Sequence, residues 1–428
     1  MPKFIVEGGV PLRGTIRPAG NKNATLPILA ACLLTDEPVT LENVPNIKDV
    51  RTLAELLGVL GASVEWQGPN TVTIQAREVH ATSIDANMAA RIRASILLAG
   101  PMLARTGRMV LPPPGGDVIG RRRVDTHFLA LARLGAVVDS TDGYHLETSG
   151  LVGTDVFLDE PSVTATENAV MAAVLAQGFT RLRNAAAEPH VQDLCHMLNG
   201  MGAQIRGIGT GTLEIEGVKA LHGTKHRIGS DHIEVGSFIG LAAVTRGEIL
   251  IEDAAIEHLD STLLGFERMG IHCEIRGKDL FVPDNQEMLV RMDLGGHIPK
   301  IDDGPWPAFP ADLTSIALVT ATQCRGTILI FEKMFESRMF FADKLIGMGA
   351  RIVLCDPHRA VVVGPSRLHA GVVESPDIRA GMALLIAALG AEGDSHIFNI
   401  GQIERGYERI DERLRALGAR IERSDSRD

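Results

Sequence analysis

Residues 23–34 read NATLPILAACLL, and residues 60–62 read Leu60-Gly61-Ala62; together they open and close a module that recurs six times in the 428-residue chain. Each copy runs from a helix of small residues through a turn and an apolar strand to a second helix, then to further strand sequence. The first helices recur as RIRASILLAGPMLA (91–104), TATENAVMAAVLA (164–176), HIEVGSFIGLAAV (232–244), DLTSIALVTAT (312–322) and DIRAGMALLIAAL (377–389). The closing triplets recur at Leu134-Gly135-Ala136, Met201-Gly202-Ala203, Met269-Gly270-Ile271, Met348-Gly349-Ala350 and Leu417-Gly418-Ala419. Glycine just past a helix end enters the left-handed region without a Cβ penalty, so these triplets mark helix ends. Successive closing glycines lie 74, 67, 68, 79 and 69 residues apart, a period too long for a solenoid but suited to a βαβαββ unit.

A chain of this length exceeds what one core serves, and six modules divide into three plus three. The first helices are small and apolar on almost every face, which predicts helices buried inside each domain. The expected fold class is therefore α/β, with two domains of three modules each. Breaks at Pro18-Ala19-Gly20 and at the polar stretch His222–Gly229 predict one domain from 1–20 plus 230–428 and a second from 21–229. The last module ends on a single strand, Ala419-Arg420-Ile421-Glu422. The N-terminal strands around Lys3–Val6 and Thr15–Arg17 are expected to complete it.

The net charge of −11 argues against nucleic acid as a partner, and against a ring-shaped DNA clamp, which needs basic helices around its bore. The start, MPKFIVEGG, lacks the apolar stretch of a signal peptide, and the longest apolar run, 380–391, is too short to span a bilayer. Cys32, Cys195, Cys273, Cys324 and Cys355 are odd in number and scattered, which suits reduced thiols in a cytoplasm and no metal. No membrane association and no obligate protein partner is expected. Gly207-Ile208-Gly209-Thr210-Gly211 mimics a dinucleotide fingerprint but leads into strand sequence, and reads as a hairpin turn.

Charged residues cluster where the small-residue helices begin: Lys22-Asn23, Arg91 and Arg93, Glu167-Asn168, Asp231 to Glu234, Asp312, and Asp377 with Arg379. A cation there opposes the helix dipole, so it needs a compensating anion, which a ligand would supply. The bland reading is a surface cation, or an aspartate capping the helix. The segment Leu111-Pro112-Pro113-Pro114-Gly115-Gly116-Asp117-Val118-Ile119-Gly120-Arg121-Arg122-Arg123 has a stiff start, a glycine hinge and three arginines, which suits a lid over 112–123. An arginine run is more often a solvated face. Phe335-Glu336-Ser337-Arg338 and Glu404-Arg405-Gly406-Tyr407-Glu408-Arg409 add guanidiniums whose planar fork matches carboxylate or phosphate. A local Arg–Glu pair is the bland alternative for each.

Taken in order, Lys22-Asn23, the Gly-Gly-x-x-Ile-Gly-x-Arg loop, PAFPAD, FESR, DIRA and ERGYERI resemble the enolpyruvyl transferases over residues 1 to 424. The resemblance implies a two-domain inside-out α/β barrel, helices within and strands outside. It also implies transfer of the enolpyruvyl group of phosphoenolpyruvate to the 3′-hydroxyl of UDP-N-acetylglucosamine, with release of phosphate. Shikimate 3-phosphate or another uridine nucleotide is the alternative acceptor. On the matching positions, Lys22, Arg122 and Arg405 bind phosphoenolpyruvate, and Arg93, Arg338 and Arg379 are further active-site arginines. Asp312 is the implied base for the hydroxyl and Asn23 a positioning amide. Arg122, Arg123, Val124, Asp125, Ser162 and Val163 keep the nucleotide-contacting pattern. The resemblance requires no cofactor and no metal. Folding is expected to gather Lys22, Arg122 and Arg405 into one doubly anionic pocket.

Asp117 departs from the family, which commonly has the cysteine alkylated by fosfomycin there. An aspartate can act as a general acid when desolvation raises its pKa, but it cannot do thiolate chemistry. An active, fosfomycin-insensitive enzyme is expected. Glu160, Thr164, Ala187, His232 and Ala311 also depart from the family pattern.

Overall fold

The computed structural model describes residues 2–116, 119–120 and 122–424. It divides into two compact units. One holds the chain up to Ala19 and from Ser230 onward, with Ile119 and Gly120; the other holds Gly20 to Gly229 apart from that short piece.

In the first unit, the helices His232–Thr245, Thr314–Ala321 and Ile378–Gly390 pack against one another. Every residue of the first two is buried, so these helices have no solvent face and their all-round apolar composition follows. Small residues let the backbones approach. A Cβ on Gly236 would stand 2.4 Å from Leu313 Cδ1, and one on Gly240 would stand 2.6 Å from Ile316 Cγ2. Three four-stranded sheets surround them, with strands such as Glu248–Ile251 and Arg359–Gly364 alternating buried and partly exposed residues.

The sheet of the sixth module orders Val372–Glu374, Asp394–Phe398, Lys3–Glu7 and Arg420–Ser424. Lys3–Glu7 is a central strand, antiparallel to both neighbours, with Val6 opposite Ser395 and Ile421. The second N-terminal strand departs from the expectation. Arg13–Ile16 pairs in parallel with Glu248–Ile251 in the sheet of the fourth module. The chain leaves the first strand at Gly8-Gly9, where Gly9 has φ 80° and a Cβ on Gly8 would lie 2.2 Å from the Ala388 carbonyl oxygen. The two strands therefore serve two modules.

The second unit repeats the plan. Lys22–Ala31, Ala99–Thr106 and Val163–Ala173 form its buried helical centre. Lys225–Arg227, from the far end of this unit, pairs in parallel with Val39–Glu42 and completes the first module's sheet. Asp155–Phe157 does the same for Phe179–Arg183. The middle sheet has three strands, and an isolated parallel bridge from Ser83 to Val110 stands in for the fourth. Residues 91–104 are not one helix. A 3₁₀ turn, Arg93–Leu98, precedes the helix Ala99–Thr106, because Pro101 has no N–H to carry the hydrogen-bond ladder back.

All six closing glycines take positive φ: 113°, 98°, 98°, 75°, 100° and 94° in chain order. After each, the next residue's N–H donates to the carbonyl five residues back, from Ala62 to Leu57 through Ala419 to Leu414, at 3.0 to 3.1 Å. This is the Schellman closure, made six times. Gly207 and Gly209 also have positive φ in the hairpin between Gln204–Arg206 and Thr212–Glu216. Among the described residues, no helix is long and apolar enough to cross a membrane.

Candidate active site

In the 20–229 unit, Lys22 is the first residue of the helix Lys22–Ala31, which Asn21 caps by accepting the Ala24 N–H at 3.1 Å. Its ammonium lies 2.8 Å from the Asp49 carboxylate, and both side chains are buried. A protein carboxylate thus already offsets the dipole conflict expected of a cation at this end. Asn23 follows, half-buried.

Arg93 opens the 3₁₀ turn and donates through Nη2 to the carbonyls of Arg122 (2.7 Å) and Arg123 (3.1 Å). Burial, then repulsion from Arg122, pushes the Arg93 guanidinium down to about 10. Gly115 and Gly116 fit against the same turn: a Cβ on Gly115 would stand 1.7 Å from the Ala90 carbonyl oxygen, and one on Gly116 2.8 Å from Arg93 Cβ. Only glycines admit this approach, so the loop's start is anchored to the segment that carries Arg93. Asp117 and Arg121 lie outside the described residues. Ile119 groups with the other unit, its carbonyl accepting the Ser337 N–H at 3.2 Å. Arg91, by contrast, is an exposed cation 3.4 Å from Glu55, and there the bland reading holds.

Arg123, Val124 and Asp125 lead into the helix Asp125–Arg133, with Val124 at its cap. Arg123 pairs with Asp125 and Asp159, each at 3.1 Å, and Asp159 also accepts from Thr126 at 2.7 Å. These bonds tie the 123–126 segment to the approach to Ser162, whose side chain makes no capping bond at the head of Val163–Ala173. Behind both helix starts sits His127, with Nε2 3.0 Å from Thr164 Oγ1 and Nδ1 2.8 Å from Asn168 Nδ2. Burial, then Arg93, pushes its imidazole down to about 3, so it is neutral. Thr164 is thus the partner of a buried histidine. Glu160 is half-buried beside it in sequence, and the Ala187 carbonyl accepts from Gln192 at 2.8 Å.

In the other unit the centre is Asp312, on the 3₁₀ turn Ala311–Leu313. Its Oδ1 accepts from Arg338 Nη2 at 3.0 Å and its Oδ2 from Arg379 Nε at 3.1 Å. Two arginines 41 residues apart in sequence thus grip one carboxylate. Both are buried; Nη1 of each makes no hydrogen bond, and Arg338 Nε meets only the Glu332 carboxylate, 3.7 Å away. Buried guanidinium N–H groups without acceptors are costly unless an anion meets them. Burial alone would lower the Arg379 guanidinium, but Asp312, Tyr407 and Asp231 outweigh it and raise it. Arg379 also lies over the Tyr407 ring at 5.4 Å, and the Tyr407 hydroxyl sits 2.8 Å from Ser237 Oγ. Arg405, on the turn Ile403–Arg405, donates to Gln402 at 2.9 Å. The following helix begins at Ile410, so Glu408 and Arg409 precede it rather than open it.

Asp231 and Asp377 resolve to helix caps. Asp231 accepts from Ile233 (2.9 Å) and Glu234 (3.3 Å), and burial pushes its carboxyl up to about 6 against the pull of Arg379. Asp377 accepts from Arg379 (2.8 Å) and Ala380 (2.9 Å). His232 packs edge-on to His258 and Trp306, with ring centres 6.3 and 6.1 Å away. Sequence reasoning missed Asp49, His127 and Asp159. Tyr407 lay inside the quoted ERGYERI motif without being assigned a part. Among the described residues, no group of three or more His, Cys, Asp or Glu side chains could hold a metal ion.

Two α/β units with buried helical centres, with Lys22 and Arg93 at the start of inner helical segments in one and Arg379 in the other, are the build of the enolpyruvyl transferase class. Residues 6–414 match the model of the EPSP synthase (3-phosphoshikimate 1-carboxyvinyltransferase) family, and the chain belongs to that family. It is 63% identical over 425 residues to the UDP-N-acetylglucosamine 1-carboxyvinyltransferase of Bradyrhizobium diazoefficiens, covering 99% of each chain. It is 58% identical over 422 residues to the same-named protein of Treponema denticola, again covering 99% of each. Among solved structures, the enolpyruvyl transferase NikO from Streptomyces tendae matches with a TM-score of 0.86 at 24% identity, over 99% of both chains. EPSP synthase from Acinetobacter baumannii matches with a TM-score of 0.74 at 18% identity, over 99% of this chain and 100% of that one. These two likenesses bear on the fold.

Proposed function

We propose that this enzyme transfers the enolpyruvyl group of phosphoenolpyruvate to the 3′-hydroxyl of UDP-N-acetylglucosamine and releases inorganic phosphate, the first committed step of peptidoglycan synthesis. One observation carries the chemistry: Asp312 gripped by Arg338 and Arg379, with Nη1 of each buried and making no hydrogen bond. Full-length identity above half to relatives of that name supports the acceptor. The reading belongs in a cytoplasm, in keeping with free thiols at all five cysteines.

The chemistry divides the residues. Arg338 and Arg379 offer Nη1 to an anionic group of the substrate, and Lys22, Arg122 and Arg405 are the cations assigned to phosphoenolpyruvate. Asp117 gives a proton to the methylene carbon, which leaves the adjacent carbon electrophilic. The sugar hydroxyl adds there as its proton passes to Asp312, whose oxygens each keep a second lone pair beside the guanidinium bond. The result is a tetrahedral ketal. The Asp117 carboxylate takes a methyl proton back as phosphate leaves, the proton on Asp312 passes to phosphate or water, and the vinyl group is restored, now on the sugar oxygen. Asn23 and Arg93 position the acceptor, and Arg123, Val124, Asp125, Ser162 and Val163 hold its nucleotide.

The test is phosphate release from phosphoenolpyruvate with UDP-N-acetylglucosamine, shikimate 3-phosphate and UDP-glucose offered in turn. Turnover with the first alone is expected. Turnover with shikimate 3-phosphate instead would overturn the acceptor assignment.

A further inference from the structure

Glu332 and Asp303 are acidic and sealed from water, at 0% and 1% exposure. They directly follow the parallel neighbours Gly326–Phe331 and Lys300–Asp302, where Asp302 stands opposite Phe331. Register therefore sets them side by side. Glu332 Oε1 accepts the N–H groups of Met334 (3.3 Å) and Phe335 (3.1 Å), and Asp303 Oδ1 accepts the Lys333 N–H. Glu332 Oε2 and Asp303 Oδ2 meet no donor at hydrogen-bonding geometry; the two carboxyls face each other instead. Two carboxylates cannot both stay charged in such a place, so one proton is held between them. Burial, with Asp303 adding and Arg338 opposing, pushes the Glu332 carboxyl up to about 9.

The other groups facing the pair are few. The Thr314 hydroxyl lies beside Glu332. His358 Nδ1 meets the Glu332 backbone carbonyl at 2.7 Å, and Lys333 Nζ pairs with Asp302 rather than with the pair. Among the described residues, Arg338 is the cation in direct reach, its Nε 3.7 Å from Glu332 Oε2. Beyond it stand Asp312, Asp377 and Arg379. The acid pair thus forms the back wall of the guanidinium whose front edge grips Asp312.

We infer that the Asp303–Glu332 pair, carrying one proton and one negative charge, is a positioning element for the transfer reaction: it holds Arg338 from behind and sets the edge offered to Asp312 and substrate. With two charges the pair would draw Arg338 back from Asp312; with none it would release it. This inference rests on the reaction proposed above, and its first test does not.

In the unliganded enzyme, infrared difference spectra of wild type against Glu332→Gln should show a protonated-carboxyl band that is lost as pH rises through about 9 and that Asp303→Asn, lacking the second carboxyl, loses at lower pH; buried Glu167, also raised, is common to all three proteins and cancels. The unfolded chain releases that proton near the ordinary carboxyl value of 4.5 and the folded chain holds it to about 9. The folded state therefore binds the extra proton across this window, and wild-type stability should fall with rising pH there; each variant should have a shallower slope, the part due to buried Glu167 being common to all. In kinetics, wild-type kcat/KM for phosphoenolpyruvate should drop about tenfold per pH unit above the same point. Asp303→Asn keeps one charge beside Arg338 and should match the wild type near neutrality while losing that limb. Glu332→Gln moves the charge away from Arg338 and should raise KM about tenfold with a smaller change in kcat. Absence of the band, or an Asp303→Asn enzyme with an unchanged alkaline limb, overturns the inference. A band present in a protein that turns over none of the acceptors would instead sink the reaction and leave the paired proton standing.

Discussion

Asp312 has both oxygens engaged by guanidiniums. Asp312→Asn keeps the shape and the hydrogen-bonding to one side but removes the basic oxygen. It is expected to lower kcat by about a hundredfold to ten-thousandfold, with phosphoenolpyruvate binding, measured by tryptophan fluorescence, nearly unchanged. A loss confined to binding would make Asp312 a structural anchor. Asp117 gives a second outcome at this scale. A carboxylate does not open fosfomycin's epoxide as a thiolate does, so the wild type should retain its activity on prolonged incubation, and Asp117→Cys should lose it progressively. Time-dependent inactivation of the wild type contradicts the proposal. The arginines of PAFPAD's neighbours FESR and DIRA could be read from sequence because guanidinium chemistry is confined to one residue type. The acids behind Lys22 and Arg338 could not. Asp49 stands 27 residues from Lys22, and Asp303 stands 29 from Glu332, so each pairing is made by helix packing or strand register that no local pattern records.

Elements were more legible, because a left-handed helix end leaves a local mark. The six closing glycines all take positive φ, and the false fingerprint at 207–211 is a hairpin. The division of the N-terminal strands between two modules left no such mark; the connection 8–12, with Gly9 at φ 80°, makes it. The glycines also separate two kinds of constraint. Gly418 has φ 94° and a Cβ added there would meet nothing within 4 Å, so Gly418→Ala carries backbone strain alone, roughly 1 kcal/mol. Gly236 has ordinary helical backbone, but a Cβ there meets Leu313 at 2.4 Å, so Gly236→Val overpacks the helical centre at about 1–3 kcal/mol or more. Urea unfolding of the two variants should rank them in that order. A Gly418→Ala enzyme less stable than Gly236→Val would mean the inner helices have slack.

For the whole molecule, two hydrophobic cores, one per unit, make folding divisible. Residues 20–229 are contiguous and contain all strands of their own three sheets, so that fragment is expected to unfold cooperatively by circular dichroism. A fragment with helical signal but no cooperative transition counts against it. The remaining unit is discontinuous: Lys3–Glu7 lies between Asp394–Phe398 and Arg420–Ser424. On the ribosome this ordering has a temporal cost. The earliest strand to emerge must wait, unpaired, until nearly the last residues have been made, while the 20–229 segment can already have condensed behind it. Lys3–Glu7 is then the piece that closes its sheet, and until that moment its unpaired edge is open to the wrong neighbour.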